Sequence, residues 1–316
     1  MRRLLCTLVA SVLGAATFVA ATSSWMTQPA LAADVTIAAA GDIACDPSPS
    51  SPDGPYFGLP NGPFPDRCHM GDTASLIKSD PSISAVLALG DEQYMNGAYS
   101  KFLASYDKTW GAFKAITHPV PGNHDWSSGS IQGYLDYFKL TMPTYYSFDI
   151  GDWHIVALDS NCKKIGGCTS TSPEGTWFKK DLESHPVACT LAFWHHPRFS
   201  STTTATYGMK PFWNIAYSHN VDLILNGHRH EYERFAPQNP SGGLDTVRGI
   251  VQIIIGTGGK ETQASSPWPG PWRPNSAAFN DRTFGIGKLT LHPGSYDFTY
   301  LSTDDSYKDT TSGNCH

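Results

Sequence analysis

Several short apolar runs in this chain stop abruptly on a turn that carries chemistry. Val35 to Ala40 ends in Gly41-Asp42, and Ile83 to Leu89 ends in Gly90-Asp91. Runs of that length bounded by glycine read as buried strands. An acid at such a place stands at the C-terminal end of its strand, where open α/β sheets carry their ligand crevice. Asp42 taken alone is equally an ordinary turn residue. A second copy on a second strand sets two carboxylates on one edge. Three further runs follow the same plan. His118-Pro119-Val120 leads into Pro121-Gly122-Asn123-His124-Asp125, Cys189 to Trp194 ends in His195-His196-Pro197, and Val221 to Leu225 ends in Asn226-Gly227-His228-Arg229-His230.

The residue types suit metal chemistry. A carboxylate can bridge two cations, which in two-metal sites lie about 3.5–4 Å apart. The Asn123 amide offers a carbonyl oxygen, and His124 beside it can exchange a proton near neutrality. Tyr94, three residues after Asp91, reaches the same ion only as a phenolate. That requires a strongly acidic metal, because the free phenol titrates near pH 10; otherwise it is a packed aromatic with a hydrogen-bonded hydroxyl. His228 and His230, two apart on an extended turn, share a direction. Adjacent residues on an extended chain point oppositely, so only one of His195 and His196 is expected to face the cluster. Arg229 is a candidate to bind the substrate phosphate, although an arginine in such a turn is more often a solvated charge than a phosphate clamp.

The remainder of the chain reads as packing and connection. Residues 73–78 and 177–184 are helical. So is 101–116, where Leu103, Tyr106, Trp110 and Phe113 recur at helical spacing as a core stripe. Residues 145–150 and 153–158 form a hairpin about Gly151-Asp152. Asp46 to Arg67 and Ser265 to Pro274 are proline-rich loops. Gly256 to Lys260 is a tight turn, since Glu261 stands where a phosphate-cradling loop needs Ser or Thr.

Met1-Arg2-Arg3, the apolar run from Leu4 to about Ala21 and the small residues around Ala30-Leu31-Ala32 read as a signal peptide over 1–32, with 33–316 as one domain, which the resemblance below implies is catalytic. The run is also long enough for an uncleaved anchor; the small-residue site favours cleavage, and no later segment approaches a membrane span. Loss of two arginines and no acid moves the net charge from −6 to −8. An acidic chain without a basic run is a poor partner for nucleic acid or an anionic membrane. Six cysteines remain after Cys6 leaves with the leader, an even number that suits disulfides in an exported protein. Sequence leaves their pairing open; Cys45–Cys68 and Cys162–Cys168 would close local loops, and Cys189–Cys315 would pin the tail.

Gly41-Asp42-Ile43-Ala44, Gly90-Asp91-Glu92-Gln93-Tyr94, Gly122-Asn123-His124-Asp125, Ala192-Phe193-Trp194-His195 and Gly227-His228-Arg229-His230, in that order, resemble the calcineurin-like metallophosphoesterases. The tyrosine of the second block looks like that of the purple acid phosphatases. The resemblance implies an α/β fold arranged as a four-layer α/β/β/α sandwich. It also implies a dinuclear centre, with Asp42, Tyr94 and His230 on an Fe(III) ion, Asn123, His195 and His228 on Fe(II), Zn(II) or Mn(II), and Asp91 between them. The ions would neutralise the phosphate and acidify a bound water whose hydroxide attacks phosphorus, with His124 protonating the leaving oxygen. The implied activity is that of an exported phosphatase acting on monoesters, small or protein-borne. A diesterase or nucleotide-cleaving enzyme with Zn, Mn or Fe, and a non-catalytic binding module, are the alternatives. Ala44 and Ala192 depart from the usual Gly and Val. No clear equivalent of an extra substrate-side histidine is found; His196 is the nearest. The first strand follows the leader at once, which leaves no room for the N-terminal β-domain of large plant-type members.

Overall fold

The computed structural model describes residues 33–48, 67–127, 129–203, 207–262 and 272–316. The leader, most of the Asp46–Arg67 loop and most of the Ser265–Pro274 loop lie outside them.

Two sheets make the body of the fold. The first contains β1 (Val35–Ala40), β2 (Ile83–Ala88), β3 (Thr117–Pro119), β11 (Gly285–His292), β12 (Ser295–Ser302) and β13 (Lys308–Asn314), in the order β13-β12-β11-β1-β2-β3. The second contains β4 (Tyr146–Ile150), β5 (Trp153–Ala157), β6 (Cys189–Phe193), β7 (Leu223–Asn226), β8 (Tyr232–Phe235), β9 (Val251–Ile255) and β10 (Ser276–Asn280), in the order β10-β8-β9-β7-β6-β5-β4. Strands β1, β2 and β3 run parallel, as do β5, β6, β7 and β9.

Strand alternation explains the layering. Ile155, Leu191, Leu223, Ile253 and Ile255 join Ile37, Val86, Leu289 and Phe298 in one core. Their neighbours Val156, Ala192, Ile224 and Ile254 turn to the other face, against Phe178 of α4 (Pro173–Ser184) and Phe212 and Trp213 of α5 (Lys210–Ser218). Helices α1 (Met70–Ser79), α2 (Tyr99–Ala104) and α3 (Gln132–Phe138) add Ile77, Phe102 and Tyr134 to the first core. The architecture is the α/β/β/α sandwich.

One long helix expected over 101–116 is instead α2 followed by two short 3-10 turns, Tyr106–Lys108 and Trp110–Ile116. Distant partners break it. Tyr106 N–H donates to Gln93 Oε1 at 3.2 Å, and the Ser105 hydroxyl donates to the Cys45 carbonyl at 2.8 Å. The core stripe is partly retained: Tyr106 and Trp110 are buried, while Leu103 is exposed. Disulfides join Cys45 to Cys68, Cys162 to Cys168 and Cys189 to Cys315. No helix among the described residues is long and apolar enough to cross a membrane.

Candidate metal centre

Every expected donor follows the C-terminal end of a strand, and the two sheets contribute different chemistry. Asp42, Asp91, Tyr94, Asn123 and His124 come from the loops after β1, β2 and β3, and His195, His228 and His230 from those after β6 and β7. Backbone bonds tie the β1 loop to the end of β9 in the other sheet: Gly41 N–H to the Ile255 carbonyl at 2.9 Å, Gly258 N–H to the Gly41 carbonyl and Lys260 N–H to the Asp42 carbonyl, each also 2.9 Å.

The buried Asp42 carboxylate accepts from the Tyr94 hydroxyl on Oδ1 at 2.7 Å and from His228 N–H on Oδ2 at 2.7 Å. His230 Nε2 stands 3.2 Å from Oδ1 and 3.0 Å from the Tyr94 oxygen. Asp91 accepts from His124 N–H on Oδ1 at 2.7 Å, and its Oδ2 lies 3.1 Å from the Tyr94 oxygen and 3.2 Å from His195 Nε2. His195 Nε2 is also 3.2 Å from His228 Nδ1. Donor atoms of Asp42, Asp91 and His195 lie within 4.8 Å of one another, as do those of His195, His196 and His228.

This convergence strains the backbone. Asp42, Asp91 and His228 have φ of 59°, 53° and 70°, a region sparsely populated by non-glycine residues and concentrated at functional sites. Gly90 has φ 89°, and a Cβ there would come within 2.6 Å of His195 Nδ1. A Cβ on Gly122 would collide with the Asp91 carboxylate. These glycines let the loops close on the cluster.

Three observations fit the donors to metal ions. His195 Nδ1 lies 2.9 Å from the Leu89 carbonyl, and His230 Nδ1 2.6 Å from that of Glu261. A carbonyl only accepts, so each Nδ1 carries hydrogen and each neutral ring presents the Nε2 lone pair inward, the usual support for a metal-bound histidine. Asn123 Oδ1 is buried with no hydrogen-bond partner, an orphan acceptor that needs an explanation. Finally, the cluster favours positive charge beyond that of the buried Lys260 ammonium, 5.6 Å from the Tyr94 ring centroid. Burial opposes charging His195, yet Asp91 and Asp42 lift it to about 9. Burial also opposes ionising Asp42 and Asp91, and the neighbouring histidines hold both below the usual carboxylate range. Protons stand where cations would. Burial and these same carboxylates push the Tyr94 phenol far up, so only a strongly polarising ion would ionise it.

The remaining expected residues sit around this centre. His124 gives Nδ1–H to the Met95 carbonyl at 2.9 Å and packs on Tyr94 with ring centroids 4.3 Å apart. The expectation that only one of His195 and His196 reaches the cluster fails, because β6 ends at Phe193 and the extended alternation ends with it. His196 lies ring to ring with His228 at 4.3 Å, while its Nδ1 meets the Ser160 hydroxyl at 2.8 Å. Burial, then the charge of His195, lower His196 to about 3. Arg229 directs its guanidinium to Thr202, with Nε 2.9 Å from Oγ1.

Glu92 and Asp125 stand in the sequence motifs without an assigned role. Both are fully buried beneath the ligand loops. Asp125 Oδ2 accepts from Gly122 N–H at 2.9 Å, and Glu92 Oε1 from Gly90 N–H at 3.2 Å, so each pins the glycine of one loop. Their adjacency to Asp91 and His124 was the available signal.

A family model described as calcineurin-like phosphoesterase matches residues 35–232. The chain belongs to the calcineurin-like phosphoesterase family. Among curated relatives, purple acid phosphatase 15 of Arabidopsis thaliana is 29% identical, over 60% of this chain and 42% of its own length. The Fe(3+)-Zn(2+) purple acid phosphatase 12 of the same plant is 26% identical over 78% of this chain and 59% of its own. The chain thus spans about half the length of these relatives. A purple acid phosphatase from yellow lupin (Lupinus luteus) seeds superposes with a TM-score of 0.66 at 17% identity, covering 90% of this chain and 54% of that one. The Plasmodium protein GAP50, described as the anchor in the inner membrane complex, superposes at 0.61 with 14% identity, covering 90% of this chain and 89% of that one.

Proposed function

We propose that this family member is an exported phosphatase that hydrolyses phosphate monoesters on two metal ions, with residues 33–316 as a single catalytic domain after a cleaved leader. What supports this reading most is the meeting of six donor side chains from two sheets, Asp42, Asp91, Tyr94, His195, His228 and His230, together with a buried Asn123 oxygen that has no hydrogen-bond partner. Asp42, Tyr94 and His230 would hold an Fe(III) ion, and Asn123, His195 and His228 an Fe(II), Zn(II) or Mn(II) ion. Asp91, whose Oδ2 lies between the Tyr94 oxygen and His195 Nε2, would bridge them. An oxygen-rich set suits a hard ion and an imidazole-rich set a softer one. Two such ions neutralise and orient a phosphoryl group and make water acidic.

The chain's own residues do the rest. Glu92 and Asp125 fix the two glycines that let the loops close. His124, held by the Met95 carbonyl through Nδ1, has Nε2 left to carry a proton to the leaving oxygen. The leader and three disulfides support export. The competing reading, a non-catalytic module, draws on the Plasmodium anchor and on relatives such as the probable inactive purple acid phosphatase 27 of Arabidopsis thaliana.

Natively purified protein is expected to contain two metal ions per chain, to be violet and to release phosphate from 4-nitrophenyl phosphate. Tyr94→Phe should bleach the colour, and unchanged absorption would remove Tyr94 from the ligand set. Silence of the fully metallated protein across mono- and diesters would favour the binding module.

A further inference from the structure

A cavity of about 630 Å3 opens beside the cluster, lined by Ser160, Cys162, Lys163, Lys164, His196 and Tyr207 among others. It shares a wall with the candidate metal centre: Tyr207 lies 4.6 Å from His228 and 5.2 Å from His196, ring centroid to ring centroid. The small loop closed by the Cys162–Cys168 bridge also lines it, through Cys162, Lys163 and Lys164. That loop is held to the candidate ligand loops. The Asn161 side chain donates to the Pro121 carbonyl at 3.0 Å, and Gly167 N–H closes the loop on the Cys162 carbonyl at 2.8 Å. The Lys164 ammonium stands 5.9 Å from the ring centroid of Trp126, two residues after His124. Lys163 and Lys164 are exposed, and among the described residues neither ammonium has a carboxylate partner. In a chain of net charge −6, two adjacent cations at a cavity mouth make a local anion preference.

We infer that this cavity receives the leaving alcohol of the ester and that Lys163 and Lys164 select alcohols bearing a second negative charge. The inference rests on the phosphatase reading. The aromatic and disulfide walls take the apolar body of the alcohol, and the lysines meet an anionic group at its far end. The substrate class is therefore a phosphate monoester with an additional carboxylate or phosphate.

The test compares 4-carboxyphenyl phosphate with its methyl ester on the metal-loaded, full-length protein. In the wild type the carboxylate should raise kcat/KM. In the Lys163→Ala/Lys164→Ala double variant the ratio of the two values should fall about tenfold. The Lys163→Arg/Lys164→Arg variant, which keeps the charge, should restore it. Calorimetric binding of 4-carboxybenzylphosphonate against its methyl ester repeats the comparison without turnover. A ratio unchanged by the alanine pair, with both esters cleaved, overturns the inference and leaves the phosphatase standing. Lysine-dependent phosphonate binding with neither ester cleaved supports the pocket and overturns the phosphatase reading instead.

Discussion

His154 and His195 are both buried imidazoles set against carboxylates, one in the β4–β5 hairpin and one where the strand ends meet. His154, 1% exposed, has Asp149 Oδ1 on Nδ1 and Asp181 Oδ2 on Nε2, each at 2.8 Å. Ser147 donates to the other Asp181 oxygen at 2.8 Å. His185 stacks on His154 at 4.2 Å and gives Nδ1–H to the Asp181 carbonyl at 2.8 Å. None of these residues has a positive φ. The His195 cluster has three strained residues, two imidazoles turned on each other and an orphan oxygen. In both places three donor atoms lie within 4.8 Å of one another. Proximity is therefore the weaker sign. Both groups draw a proton onto an imidazole, but the His154 group does so with relaxed backbone, whereas the His195 group is strained.

Four substitutions press on that contrast, from the largest effect downward. Asp91→Ala should remove metal measured by elemental analysis and lower turnover on the order of 10²–10³-fold, the scale of losing one electrostatic stabiliser from an active site. Retained metal and activity would erase the distinction between the two places. Asn123→Ala should weaken one ion about 10–100-fold, comparable to losing a supporting metal contact, read by chelator competition. His154→Asn should leave metal content unchanged and cost about 2 kcal/mol of stability by denaturant melts near pH 5.5. Asp149→Asn, at a partner 63% exposed, should cost under about 1 kcal/mol.

The third effect has a pH signature. Burial alone would discharge His154, but Asp181 and Asp149 hold its titration above the ordinary 6.5. Its contribution is full below the unfolded value and drains away as pH rises through the folded one. Asp181 is shifted the other way: burial raises it, but His154 brings it below 3.8, so its share persists until more acid pH. The gap between wild type and His154→Asn should thus be widest near pH 4–6.5 and close on the alkaline side. A gap growing with pH would mean that His154 is buried neutral.

Much of this was legible because a strand that stops on a polar residue states both a burial pattern and a direction. The runs ending at Asp42, Asp91 and Asn226 became β1, β2 and β7, and the loops after β1 and β7 meet through His228 N–H and Asp42. Less legible was whatever depends on partners far along the chain. The helical stripe of 101–116 was broken by Gln93 and Cys45, which no local spacing reveals. The polar run Lys308–Asn314 is an edge strand on β12, where backbone pairing suffices and alternation carries no apolar signal. Glu92 and Asp125 matter through loop glycines brought together only by folding.

The candidate centre straddles the seam between two layers, with carboxylates and phenol on one bank and imidazoles on the other. It therefore acts as a gauge of how the layers are registered. A slip too small to expose the core would still misplace the two banks, and a 1 Å misplacement can cost an enzyme about a hundredfold. Catalysis should then fail at lower temperature or denaturant than the fold does, so heat-stressed preparations would contain molecules that are folded yet silent.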